Sequence, residues 1–183
     1  MLGKLATEVA TDRLDLLAAP VVAALNQWND AQVGVEEVLV AEIDPDLADT
    51  AAFCDAYDVP LDASANCVVV AGKREGEIRY AACMILATTR ADVNGVVRRR
   101  LDVRKASFAP MAEAVELTGM EYGGITPIGL PAGWPILVDA AVARHPAVII
   151  GSGLRRSKIL LPGAGLLTLP NAELVESLGL AVN

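Results

Sequence analysis

Four glycines and a proline fall within the eleven residues Gly119–Gly129: Gly119, Gly123, Gly124, Pro127 and Gly129. Such a stretch cannot be the interior of a helix or a strand, because glycine loses the most backbone entropy when fixed there and proline lacks the N–H that either ladder needs. It must be a shaped loop. The adjacent pair Gly123-Gly124 lets the backbone approach another group closely, with N–H groups free to hold a carbonyl or an oxyanion. A tight turn that carries no ligand is the plainer reading of the same pair.

The rest of the chain bounds what this loop can belong to. At 183 residues, the sequence suits one domain with a substantial core. Hydrophobic residues make up 54% and aromatics only 4%, so the core is built from Val, Leu, Ile and Ala, as in an α/β or α+β domain with buried strands. No apolar run is long enough to span a bilayer, and the first residues turn acidic instead of forming a signal-peptide h-region; a soluble, unexported protein of the cytoplasm is expected. Cys54, Cys67 and Cys83 are an odd number without metal-ligand spacing, and His145 is the only histidine. Reduced buried thiols are expected, with no metal and no cofactor.

Charge is unevenly distributed. Residues 1–72 hold 13 acidic and 2 basic side chains, a balance of −11, whereas residues 73–183 hold 13 basic and 10 acidic, a balance of +3. The basic residues should therefore have a face of their own. Arg98, Arg99, Arg100, Arg104 and Lys105 form one cluster, and Arg155, Arg156 and Lys158 another. A nucleic-acid contact and a solvated helix end are both open for the first, since no aromatic residue interleaves with it in sequence.

Apolar residues at helical spacing between Leu5 and Trp28, interrupted by Pro20, predict two helical pieces or one kinked helix. Val33–Ile43 reads as a strand, Asp46–Tyr57 as a helix, and Cys67–Ala71 and Ile78–Ala87 as paired central strands around a hairpin loop at Gly72–Gly76. Asp92 is a helix N-cap, and Lys105–Ala109 a short strand. A helix from Pro110 ends at Gly119. The segments 134–139, 147–150 and 158–161 complete the strands, with Asp139 placed to cap a short helical turn.

Two further segments answer the glycine loop: Ser64-Ala65-Asn66-Cys67-Val68-Val69-Val70 upstream and Gly151-Ser152-Gly153-Leu154-Arg155-Arg156-Ser157-Lys158 downstream. In this order and spacing, with Leu117-Thr118-Gly119 before Gly-Gly-Ile-x-Pro-x-Gly, the chain resembles the YbaK/EbsC family, whose free-standing and synthetase-associated domains deacylate mischarged aminoacyl-tRNA. The likeness runs from about Glu36 to the C-terminus. It implies a single domain over 33–183 with a mixed, mostly antiparallel sheet or partial barrel flanked by helices. Residues 1–32 then form an N-terminal helical extension for packing or for a homodimer.

The resemblance also implies a metal-free site in which backbone donors at Gly123 and Gly124 orient the aminoacyl carbonyl, while pocket size selects the amino acid. Ile125, Pro127, Gly129, Gly151, Ser152, Gly153 and Asp139 would border the substrate, and Arg98, Arg99, Arg100, Arg155 and Arg156 would meet the tRNA. The sequence departs from the family at its central position: the lysine at the strand entrance falls on Asn66, a neutral amide. Where the family has an acidic residue after the glycine segment, this chain has Lys158. One reading is that Lys158 supplies the missing cation from the opposite wall and Asn66 orients the carbonyl or the ribose 2′-hydroxyl; the other is a surface lysine and a turn cap.

Ser152 either meets the ligand or closes its turn, Cys67 should face the core by strand alternation, and Trp134 reads as a packing anchor. The functional expectation is a trans-editing hydrolase acting on aminoacyl-tRNA, with a synthetase as a further partner. A catalytically silent module that binds aminoacyl-tRNA or a small ligand is the alternative that Asn66 keeps open.

Overall fold

The computed structural model describes residues 2–182. The chain begins with β1 (Thr7–Val9), two short 3-10 turns, and α1 (Ala19–Asn26), followed by β2 (Leu39–Glu42) and α2 (Thr50–Tyr57). The long hairpin β3 (Ala65–Arg74) and β4 (Glu77–Leu86) comes next, then β5 (Thr89–Ala91) and a π-helical turn at Val93–Val97 that runs into α3 (Arg98–Leu101). After β6 (Ala106–Phe108) and α4 (Met111–Thr118) comes the glycine loop. The chain closes with β7 (Ile136–Asp139), α5 (Ala140–Ala143), β8 (Val148–Gly151), β9 (Ser157–Leu161), β10 (Ala172–Val175) and β11 (Gly179–Ala181).

Local chemistry accounts for several of these boundaries. The β3–β4 turn is only Glu75-Gly76, both at positive φ (52° and 87°). That geometry matches the right-handed strand twist, so the strands run on to Arg74 and Glu77 and the hairpin loop is shorter than Gly72–Gly76. The carboxylate of Asp92 accepts from the N–H groups of Gly95 (3.0 Å) and Val96 (3.1 Å), as an N-cap should. Gly119, at φ 67°, ends α4 in the left-handed conformation expected of it.

The N-terminal reading needs correcting in detail. Only Ala19–Asn26 is α-helical, with Pro20 in its first turn, where a missing N–H costs nothing. Thr7–Val9 is instead a strand, in register with Leu39–Ala41 of β2. Three residues are too few to show a period, and pairing to an available edge decides their conformation. Likewise Val33–Ile43 is a strand only over Leu39–Glu42, preceded by a 3-10 turn at Val35–Glu37.

The strands form an antiparallel sheet of order β1-β2-β9-β8 and a mixed sheet of order β10-β7-β4-β3-β6, with a small β11-β5 pair. A parallel bridge between Ser64 and Ile149 joins the two larger sheets. Because β4 occupies one side of β3 throughout, both β8, at Ser64, and β6, at Val70–Gly72, lie on its other side. Between those two contacts the β3 edge at 65–68 is paired with neither strand.

The main core, including Leu16, Val21, Leu25, Met84, Met120, Ile128, Val138, Ile150 and Ile159, lies on one face of the joined sheets. On the other face, α2 seals a cluster around Phe53, Ile43 and Ile149, and the 93–101 helical segment seals one around Val70, Cys83, Ile85 and Leu137. No helix of the described residues is long and apolar enough to cross a membrane.

Asp139 is 6% exposed, and its carboxylate accepts from Ala141 N–H (2.8 Å) and from Gly179 N–H, tying α5 and β11 to the end of β7. Asp139→Ala should lower stability by about 2 kcal/mol in a denaturant titration, through the lost cap and the unpaired Gly179 amide.

Candidate active site

The glycine loop is held where it is by a contact that only glycine permits. A Cβ on Gly151, at the end of β8, would lie 2.5 Å from the carbonyl oxygen of Gly124 and 2.7 Å from that of Ile125. A Cβ on Gly124 would lie 2.7 Å from the carbonyl of Leu154. The two backbones therefore touch, and Gly153 N–H donates to Gly124 O at 2.7 Å to hold them together. Gly124 N–H is spent on Glu121 O (3.0 Å), whereas the N–H groups of Gly123 and Ile125 have no partner among the described residues. Within the pair only Gly123 keeps an unpaired donor, and Ile125 on the other side of Gly124 adds a second.

Lys158 stands directly across the ladder from Gly151. Strand alternation puts Ile159 and Leu161 in the main core and turns Lys158 to the other face, where it is 9% exposed beneath α2. Its ammonium donates to Ala48 O at 3.0 Å and lies 5.2 Å from the centre of the Phe53 ring. Burial pushes its pKa down to about 8, and Arg155 pushes the same way, while Cys54 and Asp49 oppose them.

Asn66 reaches the same place from the other sheet. Its Oδ1 accepts from Thr50 Oγ1 at 2.8 Å, in the first turn of α2. Lys158 and Asn66 are therefore anchored two residues apart, on Ala48 and Thr50. Arg155 completes the arrangement by donating to Tyr122 O (3.2 Å) and Pro45 O (3.1 Å), beside Asp49 at 3.8 Å. Its guanidinium fastens the glycine loop to the lead-in of α2.

Three remote pieces of chain thus converge at the start of α2: Gly123–Ile125 through the Arg155 clamp, Gly151 with Lys158, and Asn66. Ala48, Thr50 and Phe53 belong to this site too, and sequence reading missed them because an amphipathic helix start carries no chemical motif. The remaining residues expected at the substrate are placed differently. Ser152 is fully buried, its hydroxyl engaged with Leu154, Ser157 and the Ser157 hydroxyl (2.6 Å) in closing the β8–β9 turn. Gly153 packs on Ala18 and Val21, and Asp139 is committed to its cap.

Pro127 and Gly129 face another way, into a cavity of about 600 Å³ between the loop and α1 that also has Trp28 and Trp134 in its wall. That cavity touches neither Asn66 nor Lys158 and has no cationic side chain, so its size does not make it the reactive site. Trp134 stacks on Tyr80 at 4.9 Å, as a packing anchor does.

The thiols contribute no nucleophile. Cys67 packs toward the main core, opposite Asn66, and burial raises its pKa; burial pushes Cys83 up to about 12 and raises Cys54 as well. Among the described residues no group of three His, Cys, Asp or Glu side chains could hold a metal ion. Arg98, Arg99 and Arg100 are exposed on α3, with Arg100 paired to Glu173, and Arg156 donates to Asp15 O.

With this geometry in view, comparison with known proteins is decisive at one level. The aminoacyl-tRNA editing domain family matches residues 44–169. The chain belongs to this family. Its editing-domain fold recurs in solved structures. A protein described as a candidate trans-editing enzyme for prolyl tRNA synthetase superposes with a TM-score of 0.70 at 21% identity, over 86% of this chain and 93% of that one. A scaffold protein used for computational epitope grafting matches at 0.70 and 21%, over 87% and 95%. The hypothetical protein APE2540 matches at 0.67 and 19%, over 77% and 90%. At these identities the likeness is one of fold. No curated protein matches the chain.

The buried lysine of this editing domain makes a prediction about stability. Its folded pKa near 8 lies below the 10.5 of an exposed lysine, so burying the charged form is a full cost below pH 8. Between pH 8 and 10.5 the unfolded chain binds the proton that the folded chain has lost, and stability rises. Relative to the parent, Lys158→Met should therefore be most favoured below pH 8, with the difference changing by ~3 kcal/mol by pH 10.5 in denaturant titrations.

Proposed function

We propose that this editing domain hydrolyses the ester bond of mischarged aminoacyl-tRNA in trans, in the cleft between the glycine loop and the start of α2. The observation that carries the reading is the convergence of Lys158 and Asn66 on the start of α2, at Ala48 just before it and Thr50 in its first turn, beside the Gly124–Gly151 contact. Lys158 spends one of its three N–H donors on Ala48 O and has two left for the substrate. Its ammonium stabilises the oxyanion formed when water adds to the ester carbonyl, aided by the unpaired N–H groups flanking Gly124. Collapse of that intermediate breaks the bond to the terminal ribose, releasing the free amino acid and the tRNA hydroxyl. The Asn66 amide, fixed by Thr50, positions the carbonyl or the neighbouring ribose 2′-hydroxyl. In this reading Lys158 on β9 supplies the cation that the family resemblance places at position 66.

The exposed arginines of α3 would meet tRNA phosphates. A synthetase partner and a homodimer through the N-terminal region accompany this reading. A second reading, a silent module that binds aminoacyl-tRNA, draws on the fact that Asn66 and Lys158 are both already hydrogen-bonded within the protein.

A panel of mischarged tRNAs separates the two. Deacylation of at least one mischarged tRNA should fall by about 10²-fold in Lys158→Ala, and fall in Asn66→Ala and Gly151→Ala. Rates equal to the parent in both Lys158→Ala and Asn66→Ala would end the hydrolytic assignment of this cleft. The ratio of catalysed to spontaneous rate should drop as pH rises through about 8, where the Lys158 ammonium loses its proton.

A further inference from the structure

The face of β3 that carries Asn66 continues past the cleft to an exposed aromatic ring. Side chains 66, 68 and 70 share that face, and Val70 is the register partner of Phe108 on β6, so Phe108 stands on it too. The assignment agrees with Ala106, two residues earlier on β6, which packs with Val70 on the same side. Phe108 is 63% exposed on the outermost strand of its sheet. Four residues of β3 separate its partner Val70 from Asn66, a span of roughly 13 Å.

The only other aromatic ring more than half exposed among the described residues is Tyr122, at 57%, which immediately precedes Gly123 in the glycine loop and whose carbonyl accepts from Arg155. Two rings this open can each take an occupant. The surroundings say of what kind. Lys105, three residues from Phe108 on the same chain segment, is exposed, and Arg98 and Arg99 project from the short helix that packs on this face. Cations beside open aromatic faces are the elements that hold single-stranded nucleic acid, phosphates on the charges and bases on the rings.

We propose that Phe108 and Tyr122 are stacking platforms for the unpaired 3′ nucleotides of an RNA whose end lies in the Asn66–Lys158 cleft, with the 98–105 cations on the backbone phosphates. This rests on the aminoacyl-tRNA reading for the identity of the RNA and adds the path by which its end reaches the cleft. The two residues position the substrate and touch no reacting atom. Their loss weakens capture of the single strand without altering the chemistry on it.

The test uses the full chain and an RNA acceptor hairpin with an unpaired 3′-CCA end, alongside the same hairpin trimmed to a blunt end. The parent should bind the CCA hairpin at least tenfold more tightly than the blunt one. Phe108→Ala and Tyr122→Ala should each lose about tenfold on the CCA hairpin and little on the blunt one. Phe108→Trp should retain binding, and its indole fluorescence should quench when the CCA hairpin is added. In deacylation assays the alanine variants should raise KM and leave kcat near the parent value. Equal affinity of the parent for both hairpins, or alanine variants that bind the CCA hairpin as the parent does, would overturn the proposal. CCA-dependent binding that is lost in the alanine variants, in a protein that deacylates no mischarged tRNA, would uphold the stacking surface and end the hydrolase assignment instead.

Discussion

The site depends on two stretches of main chain lying in contact, at Gly124 and Gly151, with no side chain between them. Any larger residue at either position would drive the loop off the end of β8. The Gly153–Gly124 hydrogen bond and the Arg155 clamp would go with it. The glycines are thus needed chiefly for proximity, and only secondarily as donors. That changes the weight of the individual atoms, since the Gly124 amide itself is consumed in the turn.

Electrostatics sets the terms on which Lys158 is buried. A cation under a helix start is costly to bury, and here the cost is met by one carbonyl and one aromatic face. Lys158 on β9 and Asn66 on β3 both reach the start of α2 from sheets that the Ser64–Ile149 bridge joins. The depressed pKa is a consequence of that placement, and so is the sensitivity to alkali expected of a role that needs the charged form.

Much of this was legible in the sequence. Glycine spacing marked the loop, Asp92 and Asp139 announced their caps, and apolar runs marked the central hairpin, because each of these signals is local and backbone-determined. The convergence of Asn66 and Lys158 was a guess about long-range register that no local pattern encodes. The α2 contributions of Ala48, Thr50 and Phe53 were invisible for the same reason: a backbone carbonyl, a hydroxyl and a core ring become site elements only through packing. The helical spacing between Leu5 and Trp28 does not reveal Thr7–Val9 as a strand, because pairing to the β2 edge sets the conformation of those three residues.

The family match begins at residue 44, yet β2 ends at Glu42 and its Ala41 sits beside Lys158 in the sheet. A fragment trimmed to the matched region would discard the strand that shields the lysine-bearing one, and with it the β1 edge and the α1 contribution to the core. The conserved module as drawn by sequence similarity is therefore smaller than the mechanical unit, and excision at its boundary would leave β9 as a raw sheet edge open to pairing with other chains.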